Sequence, residues 1–249
     1  MAQTPSSGSR VAFFGGSFDP PHLGHLAVAR AAQAALGLDS VLFAPVGAQP
    51  LKPSGSTAGF PDRLAMTRLA ISDDPAFAVS LADAPKFDGA PNYTLETLLT
   101  LLAELPSSGE LFCLMGADAF LNLRNWHRAA EIPFVAPLIV ASRPGEHLKE
   151  IEAALPAGLT LQPQPEPERT FRTEENPPSV IANANVQLRS YILRNPAGET
   201  APFYLLPDLE YEISASQIRE YLRTASLRPI RALLPEPVSA YILSHGLYR

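Results

Sequence analysis

A short glycine- and histidine-containing stretch near the start of the chain constrains the fold most strongly. It reads Gly-Gly-Ser-Phe-Asp-Pro-Pro-His-Leu-Gly-His and occupies residues 15–25. An apolar run at residues 11–14 precedes it, and an alanine-rich helical pattern follows it to about Leu36. A further apolar run at residues 40–46 follows that helix. Strand, glycine loop, helix and strand in this order predict the opening βαβ unit of a parallel α/β sheet.

The same stretch has the composition expected of a phosphate site. The N-terminus of a helix presents unpaired N–H groups and a partial positive charge. Gly15 and Gly16 allow the backbone to approach a ligand closely. His22 and His25 are three residues apart and share one helical face, from which imidazoles can donate to phosphate oxygens. Neither the P-loop nor the dinucleotide fingerprint is present, because their lysine and third glycine are missing.

Composition excludes several classes of protein. The chain has 249 residues, of which 46% are hydrophobic, and a net charge of −6. This balance indicates a globular protein without the basic surface that nucleic acid requires. The longest apolar run is too short to span a membrane, and the first ten residues lack the apolar core of a signal peptide, so we expect a cytoplasmic protein. Its single cysteine, Cys113, predicts a buried thiol and no disulfide.

Hydrophobic periodicity predicts the remaining elements. We expect strands at residues 11–14, 40–46, 77–81, 110–115 and 134–141, and helices at about 23–36, 61–72, 92–105 and 146–155. Two further strands are predicted at 186–193 and 202–206, joined by the turn sequence Asn-Pro-Ala-Gly. Residues 163–178 are rich in proline and glutamate, which predicts a loop or a disordered segment. The last helix is expected to end at Gly246.

Two motifs together resemble a known family. His22-Leu23-Gly24-His25 resembles the His-x-Gly-His hallmark of the nucleotidylyltransferases, and the fuller string resembles the bacterial nicotinate-nucleotide adenylyltransferases. Residues 213–219, Ile-Ser-Ala-Ser-Gln-Ile-Arg, resemble that family's Ile-Ser-Ser-Thr-x-x-Arg. The resemblance implies a Rossmann-like, doubly wound parallel sheet with a C-terminal helical segment. It further implies a single domain over residues 10–249, with an insertion at about 156–200 and a flexible segment at 1–9.

The resemblance also implies a reaction. ATP would transfer its adenylyl group to nicotinate mononucleotide by direct in-line attack, giving nicotinate adenine dinucleotide and pyrophosphate. Mg²⁺ would accompany ATP, without a protein metal site. The expected partners are these two small molecules, with no nucleic acid and no membrane; a homo-oligomer is compatible with the sequence. The residues implied are catalytic His22, His25, Lys52 and Arg219; ATP-binding Gly15, Gly16, Ser17, Phe18, Gly24, Arg143, Ser214 and Ser216; and nicotinate-binding Thr94, Asp118 and Trp126.

Simpler interpretations of several residues stay open at this stage. Lys52 lies in a Pro/Gly/Ser loop, where a lysine is normally only solvated. Thr94 is placed to be the N-cap of the helix that follows it. Trp126 fits a buried core position as well as a position that stacks on a ligand ring. Arg63 and Arg68 fit a solvated helix surface.

Three positions depart from the family pattern. Leu51 stands where the family has histidine, His127 where it often has tyrosine, and Ala215 where it has serine. These departures keep alternatives open: an adenylyltransferase for nicotinamide mononucleotide or phosphopantetheine, or a nucleotide-binding regulator without turnover. A cytidylyltransferase shares His-x-Gly-His but fits the C-terminal motif poorly.

Overall fold

The structure is a computed structural model. It describes residues 8–52, 54–142, 148–164, 169–172, 185–207, 209, 213–224, 230 and 232–249. All structural statements below concern these residues.

The described strands form an α/β sheet. They are β1 (Arg10–Gly16), β2 (Ser40–Pro45), β3 (Phe77–Val79), β4 (Glu110–Gly116), β5 (Leu138–Ala141), β6 (Thr160–Pro163), β7 (Arg169–Arg172), β8 (Asn185–Arg194) and β9 (Thr200–Leu206). Their hydrogen-bonded order is β3-β2-β1-β4-β5-β9-β8-β6, and β7 pairs with β8. The pairs β1–β4, β4–β5 and β5–β9 are parallel. Strand β8 runs antiparallel to β9. The predicted Rossmann-like α/β class is therefore confirmed.

Eight α-helices connect or follow these strands in the described part of the chain. They are α1 (Leu23–Leu36), α2 (Phe60–Ala70), α3 (Thr94–Glu104), α4 (Ala117–Leu121), α5 (Ile132–Val135), α6 (Leu148–Ala154), α7 (Ala215–Arg223) and α8 (Glu236–His245). Short 3₁₀ turns lie at Leu123–Asn125 and Ala129–Glu131. The last two helices form the predicted C-terminal helical segment. Within the described ranges, no helix is long and apolar enough to cross a membrane.

Local sequence explains where several helices end. Residue 36 closes α1, as the alanine-rich pattern predicts, and the next residue, Gly37, has a φ of 59°. Gly246 follows α8 with a φ of 61°. This left-handed conformation costs a residue with a Cβ about 1 kcal/mol or more, which is why glycine ends both helices.

Two predicted segments were wrong. Residues 134–141 are not one strand: α5 precedes β5, because Pro133 in the first turn favours a helix there. Pairing resumes at Pro137, whose carbonyl oxygen accepts from the Cys113 N–H at 3.0 Å. The predicted loop at 163–178 contains β7, which pairs antiparallel with β8. Residues 165–168 and 173–178 of that loop lie outside the described residues.

The predicted hairpin at the end of the sheet is confirmed. Its turn is closed by the Asn195 side chain, whose Oδ1 accepts from the Glu199 N–H at 3.0 Å. β9 of this hairpin pairs with β5, so that strand belongs to the main sheet. The description of residues 156–200 as an insertion stays a prediction.

The chain divides into two compact units. The first comprises Met1–Phe14, Val28–Val41 and Tyr93–Glu210, and the second Gly15–Ala27, Leu42–Asn92 and Tyr211–Arg249. In the first, buried strands such as β4 and β5 supply the core. In the second, a core cluster joins Met66 of α2 with apolar residues of α7 and α8. The prediction of a single domain stays a prediction.

Candidate functional site

The loop after β1 packs its own aromatic side chain beneath the backbone. Phe18 is buried and adopts a φ of 47°, which is unusual for a residue other than glycine. A Cβ at Gly16 would lie 3.2 Å from the Phe18 ring. The Phe18 ring also meets His25 edge-on, with ring centroids 5.0 Å apart. The glycine and the phenylalanine of the motif therefore shape the loop that supports the histidines.

The two motif histidines lie against one another. The centroids of the His22 and His25 rings are 3.7 Å apart and the rings are tilted by 31°. A Cβ at Gly24 would lie only 3.1 Å from Nδ1 of His22, closer than almost all real Cβ contacts. Nδ1 of His22 is buried and has no hydrogen-bond partner in the described part of the chain. The glycine in His-x-Gly-His thus leaves room for the first imidazole.

Burial keeps both imidazoles neutral at pH 7. Desolvation lowers the pKa of His25 to about 4. Desolvation, followed by repulsion from His25, lowers the pKa of His22 well below its ordinary value. The backbone N–H of His22 donates to Nδ1 of His25 at 3.2 Å. Because that nitrogen accepts, the neutral His25 ring carries its proton on Nε2.

Lys52 reaches the motif loop. Its Nζ donates to Oγ of Ser17 at 2.9 Å, and that hydroxyl donates to Oε1 of Gln49 at 3.3 Å. The neighbouring Leu51 is 54% exposed. Lys52 is therefore hydrogen-bonded to the motif loop, although it lies in an irregular segment. The structure thus places Lys52 and Ser17, two of the predicted site residues, together.

The C-terminal motif also reaches this loop. Ser214 is the N-cap of α7, and its Oγ accepts from the Gln217 N–H at 3.1 Å. Arg219 donates from Nη1 to the carbonyl oxygen of Asp19 at 2.6 Å and from Nη2 to Oγ of Ser216 at 3.0 Å. Two further predicted residues, Arg219 and Ser216, thus hold each other beside the loop.

Asp19 is a buried carboxylate that the sequence reasoning left out of the site. It is 4% exposed. Its Oδ2 accepts from the Thr57 N–H at 2.6 Å, and its Oδ1 accepts from the Ala58 N–H at 3.0 Å and from Oη of Tyr248 at 2.7 Å. Its Oδ2 lies 3.9 Å from Nη1 of Arg219. Asp19 lies within the motif at residues 15–25, so its position could have marked it as a candidate site residue. Its hydrogen-bond partners lie outside the motif and could not be identified from the sequence.

Arg63 corrects the expectation of a solvated helix surface. The side chain is 2% exposed and donates to three carbonyl oxygens: Ser17 at 2.6 Å, Val46 at 2.8 Å and Ala58 at 3.2 Å. Burial lowers the pKa of its guanidinium, partly offset by Asp19. No sequence signal distinguishes it from the exposed Arg68 on the same helix. Arg63 therefore fixes the backbone of the motif loop from within.

The N-terminus of α1 is less open than the sequence suggested. The N–H of Leu23 donates to the carbonyl oxygen of Leu233 at 2.9 Å, and the N–H of His25 donates to that of His22 at 2.9 Å. These two donors are therefore used within the protein. They are not available to a phosphate at this helix end.

Arginines line a cavity in the second unit. The cavity measures about 300 Å³, and Ser216, Arg219, Arg223 and Arg249 contribute to its lining. A shallower depression of about 500 Å³ along β3 contains none of the predicted site residues. We take the arginine-lined cavity as the relevant one, because guanidinium groups match the charge and the fork geometry of phosphate.

The residues expected on the nicotinate side belong to the first unit. Thr94 is the first residue of α3, and Tyr93 precedes it as the N-cap without a side-chain hydrogen bond, so Thr94 is not the cap. Trp126 follows a 3₁₀ turn and is half-buried, not a core residue. The ring of the next residue, His127, contacts that of Tyr93, with centroids 4.5 Å apart and a tilt of 37°.

Two further predicted residues give less information. Asp118 lies in the first turn of α4 and is exposed, and its backbone carbonyl oxygen accepts from Nδ2 of Asn122 at 2.9 Å. Arg143 lies outside the described residues. Within the described ranges, no group of three or more His, Cys, Asp or Glu side chains is arranged to hold a metal ion.

The fold and the paired histidines define a class, and comparison with known proteins agrees with it. The family model described as Cytidylyltransferase-like matches residues 13–221. A Trichlorobacter lovleyi protein named "Probable nicotinate-nucleotide adenylyltransferase" is 35% identical over 240 residues, which cover 96% of this chain and 99% of that protein. A Gloeobacter violaceus protein of the same name is 34% identical over 241 residues, 97% of each chain. The chain belongs to the Cytidylyltransferase-like family and, within it, to the nicotinate-nucleotide adenylyltransferases.

A solved structure supports the fold alone. The Plasmodium falciparum nicotinic acid mononucleotide adenylyltransferase complexed with NaAD aligns with a TM-score of 0.65 at 15% identity, covering 96% of this chain and 97% of that chain. The same enzyme complexed with APC aligns with a TM-score of 0.64. At this low sequence identity, the alignment supports a shared architecture and assigns no role to individual residues of this chain.

Proposed function

We propose that this chain transfers the adenylyl group of ATP to nicotinate mononucleotide, giving nicotinate adenine dinucleotide and pyrophosphate. The observation that carries the proposal is the neutral His22 and His25 pair, with His25 held in one tautomer, beside a loop that Lys52 and Arg219 also contact. Family membership supplies the reaction, and the relatives' name supplies the acceptor. In this proposal the enzyme works in the cytoplasm.

The chemistry needs positioning and charge stabilisation more than covalent work by the protein. A phosphate oxygen of nicotinate mononucleotide attacks the α-phosphorus of ATP in line and forms the new P–O bond. The bond from that phosphorus to the bridging oxygen breaks, and pyrophosphate leaves with the electron pair. The attacking phosphate is already anionic near neutral pH, so no general base is required. The main cost is bringing two anions together, and donors preorganised in the site offset it.

The residues present suit these tasks. We assign His25 to the α-phosphate, because its Nε2 carries the proton and can donate, and His22 to the adjoining phosphate oxygens. We assign Lys52, Arg219 and Ser216 to the β- and γ-phosphates, near the arginine-lined cavity. Gly15, Gly16, Ser17, Phe18, Gly24 and Ser214 shape the ATP side, and Arg143 stays an expectation for it. Thr94, Asp118 and Trp126 are proposed for the nicotinate side, where stacking on Trp126 would contribute about 1–3 kcal/mol.

Mg²⁺ belongs to the substrate in this proposal. Among the described residues, no cluster of carboxylates or histidines offers a cage, and the Asp19 carboxylate is occupied by protein donors. The residues that the structure describes therefore do not fit a resident metal ion. Mg²⁺ commonly takes phosphate oxygens and water as ligands, so it would arrive as Mg-ATP.

The proposal is tested by pyrophosphate release from Mg-ATP with nicotinate mononucleotide and with nicotinamide mononucleotide, measured side by side. We expect strong preference for the acid. Preference for the amide would overturn the assigned acceptor and leave the phosphate chemistry intact. If neither acceptor supports release, phosphopantetheine is tested next. Absence of turnover with all three would favour the regulator alternative.

A further inference from the structure

A tyrosine beyond the last helix contacts the motif loop. Oη of Tyr248 donates to Oδ1 of Asp19 at 2.7 Å, although 229 positions separate the two residues in sequence. The chain turns back after α8 at Gly246, and Tyr248 adopts a φ of 64°. A residue other than glycine rarely adopts this conformation and is held in it by its surroundings. The hydroxyl is therefore brought to Asp19 by an ordered local structure.

Asp19 links Tyr248 to the loop that carries the two histidines. It lies three residues before His22, and its carboxylate is buried among the N–H groups of Thr57 and Ala58. Its backbone carbonyl oxygen accepts from Arg219. A buried carboxylate is costly unless donors satisfy it, so the loop position depends on each of them. Burial and the Asp19 carboxylate raise the pKa of the Tyr248 phenol, so the hydroxyl keeps its proton and stays a donor.

We propose that Tyr248 is a positioning residue for the reaction. Its hydroxyl holds the Asp19 carboxylate, and Asp19 sets the path of the loop that leads to the paired imidazoles. The inference rests on the proposed function and goes beyond it, because it assigns to Tyr248, which also lines the arginine-lined cavity, the placement of Asp19. The fold offers a matched control. Oη of Tyr241, on α8, donates to Oδ1 of Asp62 at 3.0 Å, a similar bond away from the motif loop.

The test compares Tyr248→Phe with Tyr241→Phe in the full chain. Both variants lose one phenol-to-carboxylate hydrogen bond, and we expect the larger decrease in Tm for Tyr248→Phe because Asp19 is the more buried carboxylate. We expect kcat of Tyr248→Phe to fall about tenfold, because small misplacements of catalytic groups reduce rates steeply, with KM for Mg-ATP changed less than about twofold. Tyr241→Phe should keep the wild-type kcat. Equal kcat values for the two variants would overturn the inference.

A second measurement separates this inference from the proposed function. The imidazole nitrogen NMR shifts of His22 and His25 report their tautomers and contacts without turnover. We expect Tyr248→Phe to move these signals and Tyr241→Phe to leave them in place. If the wild-type protein releases no pyrophosphate, the proposed function fails, and the NMR comparison still decides whether Tyr248 positions the pair. Unchanged signals in Tyr248→Phe would overturn it.

Discussion

Replacing Arg63 with methionine should destabilise the protein far more than replacing a neighbouring arginine. The guanidinium donates to the carbonyl oxygens of Ser17, Val46 and Ala58, and its side chain is 2% exposed. Methionine retains much of the side-chain volume but cannot donate. Arg68 lies on the same helix and is exposed, so Arg68→Met is the matched control.

The expected magnitude follows from the three carbonyl groups. Leaving one buried polar group without a partner costs about 1–3 kcal/mol. Removing the buried positive charge returns part of its own desolvation penalty, so the three losses do not add in full. We expect Arg63→Met to lower the free energy of unfolding by about 4 kcal/mol, and Arg68→Met by less than about 0.5 kcal/mol. For a chain of this size, the first change corresponds to a decrease in Tm of roughly 8–16 °C.

The assay must report on the unit that contains Arg63. Trp126 is the single tryptophan and lies in the first unit, whereas Arg63 lies in the second. Far-ultraviolet circular dichroism during thermal and urea unfolding is therefore preferable to tryptophan fluorescence. If Arg63→Met and Arg68→Met unfold at the same temperature, the three hydrogen bonds do not stabilise the fold as argued.

Three further predictions concern the histidine motif. His25→Ala should lower kcat by roughly 100- to 1000-fold while Tm is retained, because one preorganised donor is lost; near-normal pyrophosphate release would contradict its role. Gly24→Ala should lower kcat about tenfold, because the added Cβ would lie 3.1 Å from Nδ1 of His22. Gly59→Ala is the control, since the atom nearest to its added Cβ is 3.7 Å away. Equal kcat values for the two variants would refute this reasoning. The free energy of unfolding should decrease as the pH is lowered from about 6.5 to about 4. The pKa of His25 is lowered to about 4 in the folded protein, so the unfolded chain binds the proton more readily in this range. His25→Gln should lose part of this dependence in urea titrations at stepped pH.

Local signals predicted much of the fold. The alanine-rich pattern predicted α1 at residues 23–36, as the structure has it, and apolar runs located β2 and β4 closely. Apolar character alone misplaced the start of the strand at 134–141, because the helix α5, with Pro133 in its first turn, extends to Val135. The sequence left open that Thr94 is an N-cap, but the helix begins at Thr94 itself and Tyr93 is the N-cap. Periodicity identifies elements well, but which residue occupies a terminal position depends on tertiary contacts.

The site was predicted only as far as its motifs extend. His22 and His25 are near neighbours in sequence, so their shared face follows from helix geometry. Arg63, Asp19 and Tyr248 could not be assigned in this way, because most of their partners are 17 to 229 positions away along the chain, and only Ala58 is as close as 5 positions to Arg63. An arginine in an amphipathic helix looks the same whether it is solvated or buried. Only the tertiary structure shows which carbonyl oxygens it meets.

Two of the departures from the family pattern leave neighbouring side-chain contacts in place. Ala215 replaces a hydroxyl at the first residue of α7, yet Ser214 still caps the helix and Ser216 still contacts Arg219. Leu51 is exposed, and the adjacent Lys52 keeps its hydrogen bond to the motif loop. A protein that had lost turnover and kept only nucleotide binding would have no need for two desolvated imidazoles held in contact, since neutral, buried histidines cost free energy as the pH falls. The retention of that pair is therefore the strongest argument for catalysis over silent binding, and the His25→Ala rate decides between them.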